Sequence, residues 1–143
     1  LIDCPPSLAM LTINALSAAD EVLIPVQAQY LPAKGMTKLL RTVSKVQRKI
    51  NSNLKIAGVA ITLADLKTNL AKDTIEMIHE NFGQHFKVFN SVIPVAVKAS
   101  EATVSGKSVY SYARDSKVAV AYDELTKEVI HASKEKRRSD LIR

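Results

Sequence analysis

Short continuous apolar runs alternate along the chain with stretches whose apolar residues recur every three or four positions. A continuous run predicts a strand buried on both faces, and the three- or four-residue spacing predicts an amphipathic helix. The runs predict strands at residues 1–4, 21–26, 54–62 and 87–94. Because strands and helices alternate, we expect an α/β fold, a mostly parallel sheet with flanking helices on both faces.

The helical spacing predicts four longer helices: from residue 6 or 7 to 19, over about 32–50, from about 69 to 82, and over about 115–133. Thr68 or Asn69 can cap the third of these helices, and Gly83 is suited to end it. A short helical or irregular segment ends near Gly106. The helix over 32–50 has the clearest apolar stripe, formed by Met36, Leu39, Leu40, Val43, Val46 and Ile50.

The composition indicates one soluble globular domain, because the chain has 143 residues, of which 47% are hydrophobic and 24% are charged. No apolar run approaches the roughly 18 residues of a membrane span. The single cysteine, Cys4, excludes an internal disulfide and favours a reducing compartment.

The formal net charge of +6 permits an anionic partner. Part of the excess lies in residues 134–143, where five basic residues accompany two acidic ones. This basic tail is either a solvated helix end or a binding segment, and the sequence leaves both possibilities open. We therefore divide the chain into residues 1–133, the main body, and residues 134–143, the basic tail.

Ligands of parallel α/β sheets bind at the carboxyl ends of the strands. The loops that follow the four predicted strands should therefore share one edge. This edge is predicted to carry Asp3, Gln29, Asp65, Lys67 and Lys98.

Asp3 ends an apolar run and is followed by Pro5 and Pro6, as in P-loop nucleotide hydrolases, where a carboxylate ends a buried strand near Mg²⁺. Such a carboxylate can hold a Mg²⁺-bound water, because Mg²⁺ keeps part of its hydration shell. The alternative is that Asp3 caps the following helix. The chain contains no G-x-x-x-x-G-K-[ST] loop to hold the phosphates.

Several motifs occur in a fixed order along nearly the whole chain. They are LIDCPPS at 1–7, LTINAL at 11–16, AAD at 18–20, LIPVQ at 23–27, TLADLKTNL at 62–70 and IPVAVKASEA at 93–102. Together they resemble the ParA/Soj partition ATPases, which belong to the deviant Walker A branch of P-loop proteins.

The resemblance implies a partial P-loop NTPase (Rossmann-like) fold. It implies a cytoplasmic, nucleoid-associated ATPase of about twice this length, which binds ATP and Mg²⁺ and forms an ATP-dependent homodimer. The dimer would bind DNA without sequence preference, and a centromere-binding ParB-like protein would stimulate hydrolysis, so that plasmids or chromosomes are partitioned. No membrane partner is implied. The present chain would be the carboxyl-terminal portion without the P-loop, and we expect it to be inactive alone.

The same resemblance assigns roles to individual residues. Asp3 would be the catalytic Walker B carboxylate and would hold Mg²⁺ through water. Thr62, Pro94 and Val95 would line the adenine pocket, although each could be an ordinary strand end.

Lys67 and Lys98 occupy positions at which the family often carries DNA-contacting arginines, and Lys107 and Lys117 would extend that patch. Lysine keeps the charge that phosphate contacts need. Val95 replaces an arginine of the family pattern. The alternative is that these lysines are only solvated.

Two other functions remain open from the sequence. A MinD-like membrane-positioning ATPase would dock through an amphipathic carboxyl-terminal helix, but the tail offers only Leu141 and Ile142 as apolar anchors. A non-catalytic remnant that binds DNA or a protein partner is the third possibility.

Overall fold

A computed structural model describes residues 1–5 and 9–141, without the side chains of residues 30–34 and 136–141. Within these residues, helices and strands follow one another in the order α1 (Met10–Ala18), β1 (Glu21–Gln27), α2 (Tyr30–Lys49), β2 (Lys55–Thr62), α3 (Asn69–Phe82), α4 (Val97–Val104), α5 (Val109–Ala113) and α6 (Lys117–Leu141).

Strands β1 and β2 are parallel, with Glu21 opposite Lys55 and Gln27 opposite Thr62. Five consecutive residues of β2 are buried, as its continuous apolar run predicted. Helices α2 and α3 pack on one face of this pair, where Ile24, Val26 and Ile61 lie in the core with Met36 and Ile78. Helix α6 packs on the other face, and the predicted α/β class with helices on both faces is therefore confirmed.

The predicted strand over residues 87–94 is not continuous. It forms two isolated parallel bridges, Val59–Val88 with β2 and Ala64–Pro94 just beyond the end of β2, and Ile93 N donates to Ile61 O at 2.9 Å. Between them, the backbone N–H groups of Asn90 and Ser91 donate to the carboxylate of Glu128 on α6, 3.0 and 2.7 Å away. This segment therefore runs beside β2 without forming a full ladder, because the N–H groups of Asn90 and Ser91 donate to Glu128 and not to β2.

The predicted strand over residues 1–4 is wrong, because residues 1–5 are exposed and have no regular secondary structure. Their side chains and β1 line a common cleft of about 1800 Å³. A strand needs a hydrogen-bonded neighbour about 4.8 Å away. Within the described residues, β1 pairs only with β2, and the opening segment forms no backbone ladder with the free side of β1.

Most predicted helices are confirmed. The Thr68 side chain accepts a hydrogen bond from Ala71 N at 3.2 Å, and Gly83 ends α3. The first helix begins at Met10, after Ala9 in an extended conformation, so the predicted start at residue 6 or 7 is too early; residues 6–8 themselves lie outside the described residues. The last helix does not end at residue 133 but continues to Leu141, so the basic tail up to that point is an extension of α6. Ile142 lies outside the described residues.

Candidate functional site

Three chain segments end side by side at the carboxyl edge of the sheet. Ala28 N donates to Thr62 O at 3.0 Å, which joins the end of β1 to the end of β2. Ala64 N donates to Ile93 O, and Val95 N donates back to Ala64 O, both at 3.1 Å. We call residues 28–29, 62–67 and 93–98 the carboxyl rim. The predicted convergence of the loops after residues 26, 62 and 94 is confirmed.

The residues predicted to line the adenine pocket lie on this rim. Thr62 is half-buried, and its hydroxyl lies 3.5 Å from Val26 O. Pro94 is half-buried and bridges to Ala64, whereas Val95 is 60% exposed. The structure brings these residues to one edge, and their nucleotide-binding role stays a prediction.

Leu63 is an unusual feature of the rim that the sequence did not indicate. Its φ of +50° lies in the left-handed region, although it is not a glycine, and its side chain is half-exposed. This conformation costs roughly 1–2 kcal/mol for a residue with a Cβ. Strained backbone of this kind occurs preferentially at binding and catalytic sites. Leu63 therefore marks the loop after β2 as a constrained part of the candidate site.

A turn between β2 and α3 positions Lys67. The Asp65 carboxylate accepts a hydrogen bond from Lys67 N at 3.2 Å, and Asp65 O accepts one from the Thr68 hydroxyl at 2.9 Å. These bonds fix the backbone of the turn. The Lys67 side chain is exposed, so its charge faces solvent at the rim.

The Lys98 side chain contacts Glu101 and Tyr112. Its Nζ donates to Glu101 Oε2 at 2.9 Å and lies 5.6 Å from the centre of the Tyr112 ring. The Tyr112 hydroxyl donates to the same carboxylate at 3.2 Å. The hydrogen bond and charge of Glu101 raise the pKa of Lys98, and the hydrogen bond from Lys98 lowers the pKa of Glu101. Glu101 therefore partly neutralises one of the predicted DNA contacts.

Lys107 and Lys117 are exposed on the elements that follow. Lys107 comes just after α4, where its backbone N–H donates to Ala102 O at 3.0 Å, and Lys117 begins α6. Helix α4 packs against α5, and α5 against α6. Lys98 thus lies on α4, Lys107 in the loop after α4, and Lys117 at the start of α6, and their role in DNA binding stays a prediction.

Asp3 lies apart from these residues in the contacts described. It is exposed and lines the cleft along β1, which Thr62, Lys67 and Lys98 do not line. Its predicted position at a strand tip on the rim is therefore wrong for this structure. Lys38 from α2 and Pro25 from β1 also line the cleft.

The chemistry of the donors limits how a metal could bind. Among the residues that the structure describes, no three His, Cys, Asp or Glu side chains form a metal-binding group. A single exposed carboxylate such as that of Asp3 fits Mg²⁺ bound through water, with phosphate oxygens as further ligands. It does not fit a metal held by the protein alone. The same described residues contain no helix long and apolar enough to cross a membrane.

Comparison with known sequences finds relatives named Soj and ParA. A family model described as "AAA domain" matches residues 1–56. The chain is 44% identical over 130 residues to the chromosome-partitioning ATPase Soj of Treponema pallidum, which covers 91% of this chain and 51% of the relative. It is 46% identical over 129 residues to the sporulation initiation inhibitor protein Soj of Bacillus subtilis, covering 90% and 50%.

The chromosome partitioning protein ParA of Caulobacter vibrioides is 39% identical over 136 residues, covering 95% of this chain and 50% of the relative. The chain spans about half the length of the curated relatives it matches.

Solved structures share the fold. Cobyrinic acid a,c-diamide synthase from Mycobacterium smegmatis, with bound ATP analog and magnesium, superposes with a TM-score of 0.72 at 32% identity, covering 92% of this chain and 46% of that chain. Apo McdA from Cyanthece gives a TM-score of 0.75 at 19% identity, covering 90% and 51%. At 19% identity, the similarity to McdA supports the fold alone. Together they confirm a fold of the P-loop ATPase type.

Proposed function

We infer that this chain, a homologue of the ParA/Soj chromosome-partitioning ATPases, is the carboxyl-terminal part of an ATPase that partitions chromosomes or plasmids. The observation that carries this proposal is the 46% identity to Bacillus subtilis Soj over 90% of the chain. The ordered motifs at both ends of the chain support it. The reaction would be phosphoryl transfer from ATP to water.

Because Asp3 lies off the rim in this structure, the complete protein would have to bring it there. Asp3 would then hold a Mg²⁺-bound water near the terminal phosphate, and Mg²⁺ would neutralise the developing charge there. Thr62, Pro94 and Val95 would contact the adenine base. Their common position at the carboxyl rim supports this assignment, because nucleotides bind at this edge of parallel sheets. The bound ATP analog and magnesium of the Mycobacterium smegmatis neighbour agree with the same ligands.

The complete protein would form a homodimer with ATP and bind DNA through Lys67, Lys98, Lys107 and Lys117. Exposed lysines supply the charge that backbone phosphates attract, without reading sequence. A ParB-like centromere-binding protein would stimulate hydrolysis. This cycle would take place in the cytoplasm on the nucleoid.

A chimera tests the ATPase proposal directly. Because the chain matches about half of Bacillus subtilis Soj, it can replace the matching half of that protein. We expect the chimera to hydrolyse ATP in the presence of DNA. The 143-residue chain alone should not, since its sequence contains no P-loop to cradle the phosphates.

The Asp3→Asn variant of the chimera should lose at least about tenfold in kcat, because removing a charged group from such a site costs more than about 1.4 kcal/mol. Asp20→Asn is the matched control, as Asp20 is another exposed acid of the same cleft; it should keep the activity. A folded chimera without ATP hydrolysis, or one in which Asp3→Asn has no effect, would contradict the proposal.

A further inference from the structure

Helix α2 differs from the other long helices in its charge. Helices α3 and α6 mix basic and acidic residues, whereas α2 contains no Asp or Glu. It is 20 residues long. Its basic residues are Lys34, Lys38, Arg41, Lys45, Arg48 and Lys49.

The basic residues of α2 share one face. At 3.6 residues per turn, Arg41, Lys45, Arg48 and Lys49 project within an arc of roughly 100°. All four are exposed. We call them the α2 ridge. The opposite face of the helix is buried in the core, where Val43 is completely inaccessible to solvent.

No acid among the described residues forms an ion pair with the ridge. Among the described residues, ion pairs within 4.0 Å lie on α4 and α6, as in Lys98–Glu101 and Lys127–Asp123, and none includes a ridge residue. Arg48 donates to Ser44 O at 3.3 Å, which occupies one of its five N–H donors. The negative end of the helix dipole favours Arg48 and Lys49 in the last turn, but it does not account for Arg41 and Lys45.

The surroundings of the ridge indicate which anion it would bind. A helix that inserts into a membrane needs an exposed apolar face, but the apolar face of α2 is buried in the core. A protein interface needs apolar or aromatic anchors, and among the described residues of α2 and its C-cap the exposed large apolar side chain is that of Ile50. A row of exposed cations without anchors suits a phosphate backbone, whose contacts depend on charge.

We propose that the α2 ridge is a second nucleic-acid surface, which binds the phosphate backbone of duplex DNA without sequence preference. From Arg41 to Lys49 the ridge extends about 12 Å along the helix, and duplex DNA carries one charge per about 1.7 Å. The ridge can therefore face several phosphates at once. This proposal goes beyond the proposed ATPase function, because binding at the ridge would require neither nucleotide nor the lysines at 67, 98, 107 and 117.

Two variants with equal loss of charge test the ridge in the 143-residue chain. The ridge variant combines Arg41→Gln, Lys45→Gln, Arg48→Gln and Lys49→Gln, and glutamine preserves helix propensity. The rim variant combines Lys67→Gln and Lys98→Gln on the carboxyl rim with Lys107→Gln and Lys117→Gln beyond it. Circular dichroism confirms folding, and the anisotropy of a fluorescent duplex measures affinity without nucleotide between about 50 and 200 mM salt.

We expect the ridge variant to bind at least about tenfold more weakly than the unmodified chain. Its slope of log affinity against log salt should fall by about 0.9 for each lost phosphate contact. The rim variant should lose clearly less DNA affinity than the ridge variant under the same conditions.

Equal losses in both variants would mean that only net charge matters, and they would overturn the inference. A ridge variant that binds DNA like the unmodified chain would also overturn it. So would a ridge variant that loses binding to phosphatidylserine vesicles while its DNA affinity is unchanged, because the ridge would then be a membrane contact. The ATPase activity of the chimera is a separate readout, so either proposal can fail without the other.

Discussion

Gly58 occupies a position in β2 that leaves no space for a side chain. A Cβ built there would lie 2.6 Å from Phe89 Cε2 and 2.7 Å from the backbone oxygen of Lys87. The first neighbour is a fully buried ring, and the second belongs to the segment that bridges to β2. Gly58 therefore lets residues 87–89 approach the central strand closely.

At the residue scale, we predict that Gly58→Ala lowers the free energy of unfolding by about 1–3 kcal/mol, because the added methyl group must displace Phe89 and the backbone. Gly35→Ala is the control, since a Cβ at Gly35 meets nothing within 4 Å inside helix α2. It should stabilise the protein by about 0.5–1 kcal/mol. Urea denaturation measures both changes. Equal effects of the two substitutions would contradict the close approach at Gly58.

At the scale of elements, one carboxylate joins α6 to the segment beside β2. Glu128 accepts hydrogen bonds from Asn90 N, Ser91 N and the Ser91 hydroxyl, the last at 2.5 Å. Partial burial opposes its ionisation, but the bonds from Ser91 and Asn90 outweigh burial and lower the pKa of Glu128 below its ordinary value of 4.5. The native state therefore binds this proton less readily than the unfolded state.

The lowered pKa fixes the sign of the pH dependence. The stabilisation by Glu128 is present above pH 4.5, and it is lost as pH falls through the native-state pKa. We predict that Glu128→Gln destabilises the protein by about 1–3 kcal/mol at neutral pH, and that the difference from the unmodified chain shrinks in acid. Urea denaturation at several pH values measures this. The control is Glu124→Gln, at an exposed acid of the same helix, which should change the free energy of unfolding little. If Glu128→Gln destabilised the protein equally at all pH values, the stabilising role of the Glu128 carboxylate would be contradicted.

At the scale of the whole molecule, the sheet has an edge that no described strand covers. β1 pairs with β2 on one side, and its other side borders the cleft. Apolar side chains around this cleft are exposed, including those of Leu1, Ile2 and Leu23. An uncovered strand edge of this kind promotes pairing between copies.

We predict that the 143-residue chain self-associates as its concentration rises and that Leu23→Lys weakens the association, because a charged residue on an edge strand opposes pairing. Light scattering after size-exclusion chromatography measures the mass. Val120→Lys on α6 is the control, since Val120 is 47% exposed and Leu23 42%. A chain that stays monomeric at every concentration would disprove the prediction.

The candidate site was predictable to a limited extent. The meeting of Thr62 with Pro94 and Val95 followed from parallel strands, whose carboxyl ends share an edge. The Lys98–Glu101 pair was missed, although its i, i+3 spacing on a helix is a local signal. The left-handed Leu63 could not be found, because nothing in the sequence distinguishes it from leucines in ordinary conformations.

The sequence by itself determined the four longer helices, a cap at Thr68 or Asn69, the end of α3 at Gly83 and the α/β class, because periodicity and capping act between residues near each other in the chain. It also carried the motifs shared with the Soj and ParA relatives. The tertiary structure alone decided that residues 1–4 form no strand and that Glu128 interrupts the pairing of residues 87–94. Strand pairing depends on which backbone groups meet across distant parts of the chain, and an apolar run does not specify its partner.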